Sequence, residues 1–311
     1  MTEAQSGASR GSTGATGPCV AIASYVKRPT LRTDDRLLTA ALEAEGIRSQ
    51  AVVWDDESVD WEGFDGCILR SVSDYHRKFD LFLDWLAKTG DVLPIWNPID
   101  LVAWNADKSH LRELVAAGVP IVPTHWLPRG AEVRLDEVLG ARGWEEAVLK
   151  PTVGLGAQGL NRVRRAEPGS QEIAERMLDL GGVMVQPFLP TIESHGETSL
   201  VFIDGELSHA VRKRPAPGDF RVQPHWGGSV APVEPAADEL EVAAMVLARL
   251  AAPALFARVD LVRSAAGEPL LIELELVEPI LFLEADPAAA PTLAEALGRR
   301  LSDGRPPAIP R

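Results

Sequence analysis

Apolar and polar positions alternate in two distinct rhythms along this chain. In the first hundred residues, short apolar runs at Val20–Ala23, Ser49–Trp54, Gly66–Leu69 and Leu93–Trp96 predict strands. Between them, helical spacing of apolar residues predicts helices over Asp34–Glu45 and His76–Ala87. Strands and helices alternating at this length predict a parallel α/β sheet from Cys19 to Ile99. Further on, Asn105 reads as the N-cap of a helix ending at Ala117, with Gly118 as its stop. A strand ending at Lys150, a strand over Leu160–Arg165, a helix over Gln171–Leu180 and a strand over Val183–Pro190 follow. Glu197–Ile203 and Glu206–Arg212 read as a hairpin closed by Asp204-Gly205, a strong two-residue turn signal. A helix over Ala237–Leu250, two strands over Ala257–Val262 and Pro269–Leu276, and a helix over Pro291–Leu301 complete the pattern. No internal repeat is visible.

The last strand pair is chemically the most pointed. Side chains alternate faces along a strand, so Glu273 and Glu275 share one face while Leu274 and Leu276 take the other. Two carboxylates about 7 Å apart repel each other unless water or a cation intervenes. A lone pair of this kind reads as a solvated face. Asp260 on the neighbouring strand adds a third oxygen ligand, and three converging carboxylates are what a hard cation such as Mg²⁺ requires.

Composition is that of an ordinary globular protein of 311 residues, long enough for two or three cores. A net charge of −14 argues against nucleic acid as a partner and leaves anionic small molecules dependent on local basic clusters. Residues 1–17 are small and polar, which predicts a disordered tail rather than a signal peptide. No apolar run reaches membrane-spanning length, so a cytoplasmic protein with no membrane partner is expected. Cys19 and Cys67 start apolar strands and read as buried thiols.

Positive charge and glycine gather in the middle of the chain. Gly154-Leu-Gly-Ala-Gln-Gly159 matches the dinucleotide fingerprint literally, but that fingerprint must open a helix, and here a strand follows. A glycine loop between antiparallel strands is either a plain hairpin or a flap that lays backbone N–H groups over a polyphosphate. Lys150 ends the strand before it, as a lysine does beside the protein-kinase flap. Lys108, in the first turn of its predicted helix, reads as a surface lysine or as a phosphate ligand at a helix N-terminus. Arg212, Lys213, Arg214 and Arg221 form a basic cluster suited to a transferring phosphoryl group, if it is more than a solvated face. In a parallel sheet, ligands sit beyond the carboxyl ends of strands. That places Arg70, Ser71, Asp74 and Tyr75 at a site edge, although Ser73 or Asp74 could equally cap the next helix.

Taken in order, six segments resemble the ATP-grasp superfamily over residues 19–300: Trp104–Lys108, Leu149–Pro151 with its glycine flap, Val185–Leu189, Gly218–Arg221, Ala257–Asp260 and Ile272–Pro279. The resemblance is nearest to the glutathione-synthetase-like branch that includes the D-cycloserine (O-ureido-D-serine) cyclo-ligases. It implies an ATP-grasp fold of mixed α/β and α+β class. An N-terminal parallel α/β domain (18–103) would precede a central lid (104–188) and a C-terminal antiparallel-sheet subdomain (189–301), with a tail at 302–311. It also implies ATP and Mg²⁺ as cofactors, two ions being expected and Mn²⁺ able to substitute. Lys108 and Lys150 would hold phosphates, and Thr152, Gly154, Gly156 and Gly159 would form the closing flap. Gln186, Pro187, Phe188 and Leu189 would line adenine, and Glu197 would meet the ribose. Lys213 and Arg221 would face the transferred phosphoryl group. Asp260, Glu273 and Glu275 would bind metal, with Glu273 between the ions.

The implied activity is a ligase that activates a small amino-acid-like substrate as an acyl phosphate and forms a C–N bond, within one molecule in a cyclo-ligase. A homo-oligomer is the expected assembly. This chain departs from the pattern at Glu275, where Asn is usual, at Ser73, where an aromatic residue is usual, and at Ile280, where a small polar residue is usual. The last two bear on the substrate. A small-molecule kinase would share flap and lysine but lacks its loop motifs here, and a nucleotide-binding scaffold would have no need of three carboxylates. A glycosidase is excluded because carboxylates two apart on one strand cannot flank a sugar bond.

Overall fold

In the computed structural model, which describes residues 17–27 and 31–303, three sheets follow one another along the chain. The tails expected at 1–17 and 302–311 lie outside the described residues, apart from Gly17, Ser302 and Asp303.

The first sheet is parallel, with β1 (Cys19–Ser24), β2 (Arg48–Val53), β3 (Gly66–Ser71) and β4 (Ile95–Trp96) in the order β2-β1-β3-β4. Helix α1 (Thr33–Ala44) follows β1 and α2 (Phe79–Val92) follows β3. α2 starts later than its apolar spacing suggests because Tyr75–Arg77 first makes a 3₁₀ turn. Cys19 and Cys67 are buried free thiols.

Helix α3 (Ile99–Asn105) overturns the expected cap. Asn105 ends this helix instead of starting the next, and its buried amide is spent on a distant strand. Its Nδ2 donates to the Leu274 carbonyl at 2.9 Å and its Oδ1 accepts from the Leu276 N–H at 2.8 Å. Asp107 caps the following 3₁₀ turn, accepting from the Ser109 N–H at 2.8 Å before α4 (Leu111–Ala116). Asn97 makes a similar clamp: Nδ2 donates to the carbonyls of Phe256 (2.9 Å) and Leu276 (2.8 Å), and Oδ1 accepts from the Leu255 N–H (2.6 Å).

The second sheet is antiparallel, with β5 (His125–Leu127), β6 (Glu146–Pro151), β7 (Asn161–Arg164) and β8 (Val183–Pro187) in the order β5-β8-β6-β7. It is covered by α5 (Leu135–Ala141) and α6 (Ser170–Leu180), whose Leu139, Ala174 and Leu178 close a core with Leu149 and Val185. After the short α7 (Thr191–Ser194) comes the third sheet, also antiparallel. It consists of β9 (Glu197–Ile203), β10 (Glu206–Arg214), β11 (Ser229–Pro232), β12 (Phe256–Arg263) and β13 (Pro269–Glu275), ordered β11-β10-β9-β12-β13. Asp204 (φ 52°) and Gly205 (φ 88°) close the β9–β10 hairpin with two left-handed residues, as its turn sequence predicts.

One face of the third sheet is apolar. Leu200, Val259, Leu274 and Leu276 meet Val242 and Val246 of α8 (Ala237–Leu247), together with Leu101, Leu111 and Leu114 of α3 and α4. Residues 104–122 pack against the third sheet, in a core that also takes in Trp126 and Met184 of the second sheet. The terminal α9 (Ala289–Asp303) returns to α1, joining Leu293 and Leu297 to Val20, Ile22, Leu38 and Leu42 in one core with Val201 and Phe256. Each fully buried leucine of this kind contributes about 2 kcal/mol. The first and third sheets are therefore joined through a shared interior. Among the described residues no helix is long and apolar enough to cross a membrane.

Candidate active site

The other face of the third sheet is charged, because the pleat sends alternate residues of β9, β10, β12 and β13 away from α8. Lys213 stands opposite Glu197, Ser199 opposite Asp260, Asp260 opposite Glu273, and Arg258 opposite Glu275. A register shift after Asp260 pairs Leu261 with Leu271 and leaves Ile272 bulged, so that Ile272 and Glu273 both reach the same cleft. Gly196 sets the near edge: at φ +86°, a Cβ there would stand 2.2 Å from the Lys213 carbonyl. Only glycine lets the chain enter β9 this close to β10.

Oxygens of Asp260, Glu273 and Glu275 lie within 4.8 Å of one another. Three carboxylates without His or Cys make a hard donor set, suited to Mg²⁺ and not to zinc. The chain's own cations hold this set. Asp260 is fully buried; its Oδ1 accepts from Ser199 Oγ (2.6 Å) and Arg258 Nε (2.9 Å), and its Oδ2 from Arg258 Nη2 (2.8 Å) and Lys213 Nζ (3.2 Å). Burial opposes its charge, but Arg258 and Lys213 overcome that and hold the carboxyl below the usual range. Arg258 also pairs with Glu275, Lys213 with Glu197, and Lys108 with Glu273 at 3.1 Å. Burial nevertheless raises Glu197 and Glu275 to about 7 each, so charge of one sign is crowded here. Lys150 differs from the other cations. It forms no ion pair within 4.0 Å among the described residues, and burial lowers its amine while Glu273 and Glu197 pull it back up.

A cleft of about 880 Å³ opens between the second and third sheets. Val122, Val148, Ile192, Val222, Val262 and Ile272 supply apolar walls, and Lys108, Lys150, Glu197, Arg221 and Glu273 supply charge. Gln186, Pro187, Phe188 and Leu189 all line it; the Gln186 amide donates to Thr124 Oγ1 at 2.9 Å, and Arg162 stacks 3.5 Å over the Phe188 ring.

The glycine segment arches over the cleft through left-handed residues at Gly156, Ala157 and Gly159. Three side chains grip it. Lys108 Nζ donates to the Gly154 carbonyl (2.7 Å), His225 Nε2 to the Gly156 carbonyl (3.1 Å), and Arg77 Nη2 to Gln158 Oε1 (2.8 Å). Gly154 and Gly156 line the cleft. Thr152 and Gly159 frame the ends of the flap: Thr152 pairs its backbone with Gly182 and Lys108, and Gly159 lies against Pro151.

The expected basic cluster does not converge, because strand alternation splits it. Lys213 faces the carboxylates, whereas Arg212 lies on the opposite face with Thr198 and Glu239, and Arg214 is exposed. Arg221 lines the cleft from a loop, held by Asp219 (2.6 Å) and stacked 3.5 Å from the Trp226 ring.

The four candidates from the first domain also separate. Arg70 is fully buried, with Nε on Asp35 (2.9 Å) and Nη2 on Asp34 (3.0 Å), and Ser71 Oγ donates to Asp35 at 2.8 Å. Neither lines a cavity described here. Asp74 accepts from Trp54 Nε1 (2.8 Å) and pairs with Lys78 (2.9 Å). Tyr75 does reach a cavity, a smaller pocket of about 310 Å³ shared with Glu273, Glu275 and Glu278. This pocket and the large cleft have Lys108, Gly154, Leu155 and Glu273 in common.

Two residues of this region escape the sequence reading. Arg258, two positions before Asp260 and thus on the same face, was detectable by alternation alone. Glu278 gave no local signal. It is buried, its Oε2 accepts from Ser73 Oγ (3.0 Å) and Arg32 Nη2 (3.3 Å), and its Oε1 has no hydrogen-bond partner among the described residues. Burial pushes its carboxyl up to about 8.

Comparison with known proteins matches residues 20–97 to the family model of the D-cycloserine synthetase DcsG N-terminal domain. Residues 131–282 match the ATP-grasp domain of prokaryotic glutathione synthetase. The cycloserine biosynthesis protein DcsG of Streptomyces lavendulae is 33% identical over 281 residues, covering 85% of this chain and 92% of that protein. The chain belongs to the ATP-grasp ligase family. A glutathione synthetase of Prochlorococcus marinus (strain MIT 9313) is 34% identical over 221 residues, 70% of this chain and 67% of that protein. The crystal structure of D-cycloserine synthetase DcsG superposes with a TM-score of 0.82 at 32% identity, covering 91% of this chain and 99% of the other. As an ATP-grasp ligase the protein forms carbon–nitrogen bonds with ATP and a divalent metal ion.

Proposed function

We propose that this ligase activates the carboxylate of a small amino-acid-like molecule as an acyl phosphate and closes a C–N bond within that same molecule, in the manner of a cycloserine-type cyclo-ligase. The observation that supports this best is the pairing of a large cleft with a small pocket across Glu273. Both spaces open under the same flap and share Lys108 and Glu273, so a nucleotide in the cleft and a small molecule in the pocket would meet at that carboxylate. The match to a D-cycloserine synthetase N-terminal domain over residues 20–97, which contribute Tyr75 to that pocket, points the same way.

In this reading the apolar walls and the Gln186–Leu189 segment hold adenine, and Glu197 meets the ribose. Lys108, Lys150 and the flap hold phosphates. Asp260, Glu273 and Glu275 would hold two Mg²⁺ with Glu273 between them, Mn²⁺ serving as a substitute; when bound, the metal offsets charge on the phosphoryl oxygens. Lys213 and Arg221 add positive charge where the substrate carboxylate takes the phosphoryl group. The closed flap keeps water from the acyl phosphate until a nitrogen of the same molecule displaces phosphate. Ring closure needs no second substrate, since the nucleophile is already tethered. A homo-oligomer is the proposed assembly, with the light-scattering mass as its check.

ADP release against O-ureido-serine, free amino acids and γ-glutamyl dipeptides with glycine tests this reading. Turnover with O-ureido-serine alone is expected. Turnover only with a peptide plus a separate amine would replace it with the glutathione-synthetase reading, and a stable phosphorylated product would replace it with a kinase.

A further inference from the structure

The smaller pocket contains an acceptor that the chain itself does not satisfy. Glu278 is anchored through one oxygen only, by Ser73 Oγ and Arg32 Nη2, which fixes its orientation. Its other oxygen, Oε1, is buried without a partner. A buried acceptor left bare is costly, and in a folded protein it asks for a donor. Glu278 lines the pocket together with Tyr75, Glu273 and Glu275. The single cation lining that pocket, Lys108, is already paired with Glu273 and with the Gly154 carbonyl. Each of the three pocket carboxylates thus has one cation, Arg258 serving Glu275 and Arg32 serving Glu278, and Oε1 of Glu278 stays without a donor among the described residues.

From this geometry we infer that Glu278 receives the primary ammonium group of the substrate, which makes the small pocket an amine-recognising subsite. The inference deepens the ligase reading above and rests on it for the identity of the molecule. Glu278 lies three residues beyond Glu275, and three residues span at most about 10 Å. A small amino acid can thus touch Glu278 with its ammonium while its carboxylate lies toward the metal-type cluster. Tyr75 lines the same pocket as Glu278.

The test is calorimetric binding to the full-length protein with Mg²⁺ and a non-hydrolysable ATP analogue. The probes are O-ureido-D-serine and 3-(ureidooxy)propanoate, the same molecule without its amino group. The wild-type protein is expected to bind the amino compound about 10- to 100-fold more tightly, the range for a hydrogen bond to a charged group. Glu278→Ala removes that preference with nucleotide affinity unchanged. Glu278→Gln, which keeps side-chain volume and an acceptor oxygen and guards against misfolding of the alanine variant, retains part of it. No preference in the wild-type protein, or an undiminished preference in both variants, would overturn the inference. A preference that both variants lose, without ADP release from the wild-type protein, supports the subsite while removing the ligase reading.

Discussion

Two of the ion clusters among the described residues, one in the first domain and one on the third sheet, use the same side-chain types to different ends. In the first domain, Arg70 bridges Asp34 and Asp35, and every carboxylate oxygen has a fixed donor. Asp34 accepts from the backbone N–H groups of Leu281 (2.8 Å) and Leu283 (2.6 Å), so the cluster fastens α1 to the chain beyond the third sheet. On the third sheet, Asp260, Glu273, Glu275 and Glu197 are held by side chains alone, those of Ser199, Arg258, Lys213 and Lys108. Glu273 and Glu275 keep part of their side chains exposed (31% and 20%), and Lys150 stands beside them with no committed partner. A buried charge network whose oxygens are all committed, part of them to backbone, is architecture. One held by side chains alone, with two carboxylates partly open to a pocket, is able to trade partners for a ligand.

Five substitutions would break or sharpen this contrast. The largest effect is expected at Glu273→Ala, which should lower metal-dependent ADP formation by about 10³-fold or more while leaving the melting temperature nearly unchanged; intact turnover would remove Glu273 from the metal set. Arg70→Ala should behave in the opposite way, costing about 3–5 kcal/mol in denaturant unfolding because it strands two buried aspartates. If the folded fraction of Arg70→Ala loses turnover while stability holds, the first cluster is part of the site after all. Lys150→Met should raise the KM for ATP by about 10- to 100-fold with little change in stability, since this half-buried cation has no ion pair to lose among the described residues. The smallest effects belong to the flap grips: Arg77→Ala and His225→Ala each lose one hydrogen bond, worth about 1 kcal/mol, and should raise the KM for ATP about fivefold. An unchanged KM in both would mean that the flap closes without them.

Much of this contrast was legible in the sequence because alternation along strands is a strict rule. It put Asp260, Glu273 and Glu275 on one face and would have added Arg258 had it been applied two residues upstream. Where reading failed, a tertiary partner outweighed a local preference. Asn105 has the chemistry of a helix cap, but two backbone groups of β13 bid for it from 169 and 171 residues away. Arg70 lies near the carboxyl end of β3, where ligands bind in parallel sheets, and only the fold brings Asp34 and Asp35 to it. The run Arg212-Lys213-Arg214 looked like one basic patch because charge was counted along the chain and not by face. Short elements such as α7 and β11 hold too few residues for any period to show.

The asparagine clamps have a practical consequence. The two family models divide this chain between residues 97 and 131, which invites expressing the catalytic part alone. Asn97 and Asn105 argue against cutting after either of them. They finish the hydrogen bonding of Phe256, Leu274 and Leu276 at the ends of the very strands that present Arg258 and Glu275. A fragment starting after Asn105 would expose those carbonyls and the apolar face of α9 that α1 covers, and would fray at the edge that carries Arg258 and Glu275. The boundary seen in the sequence is a seam in ancestry, whereas the folded object has none there.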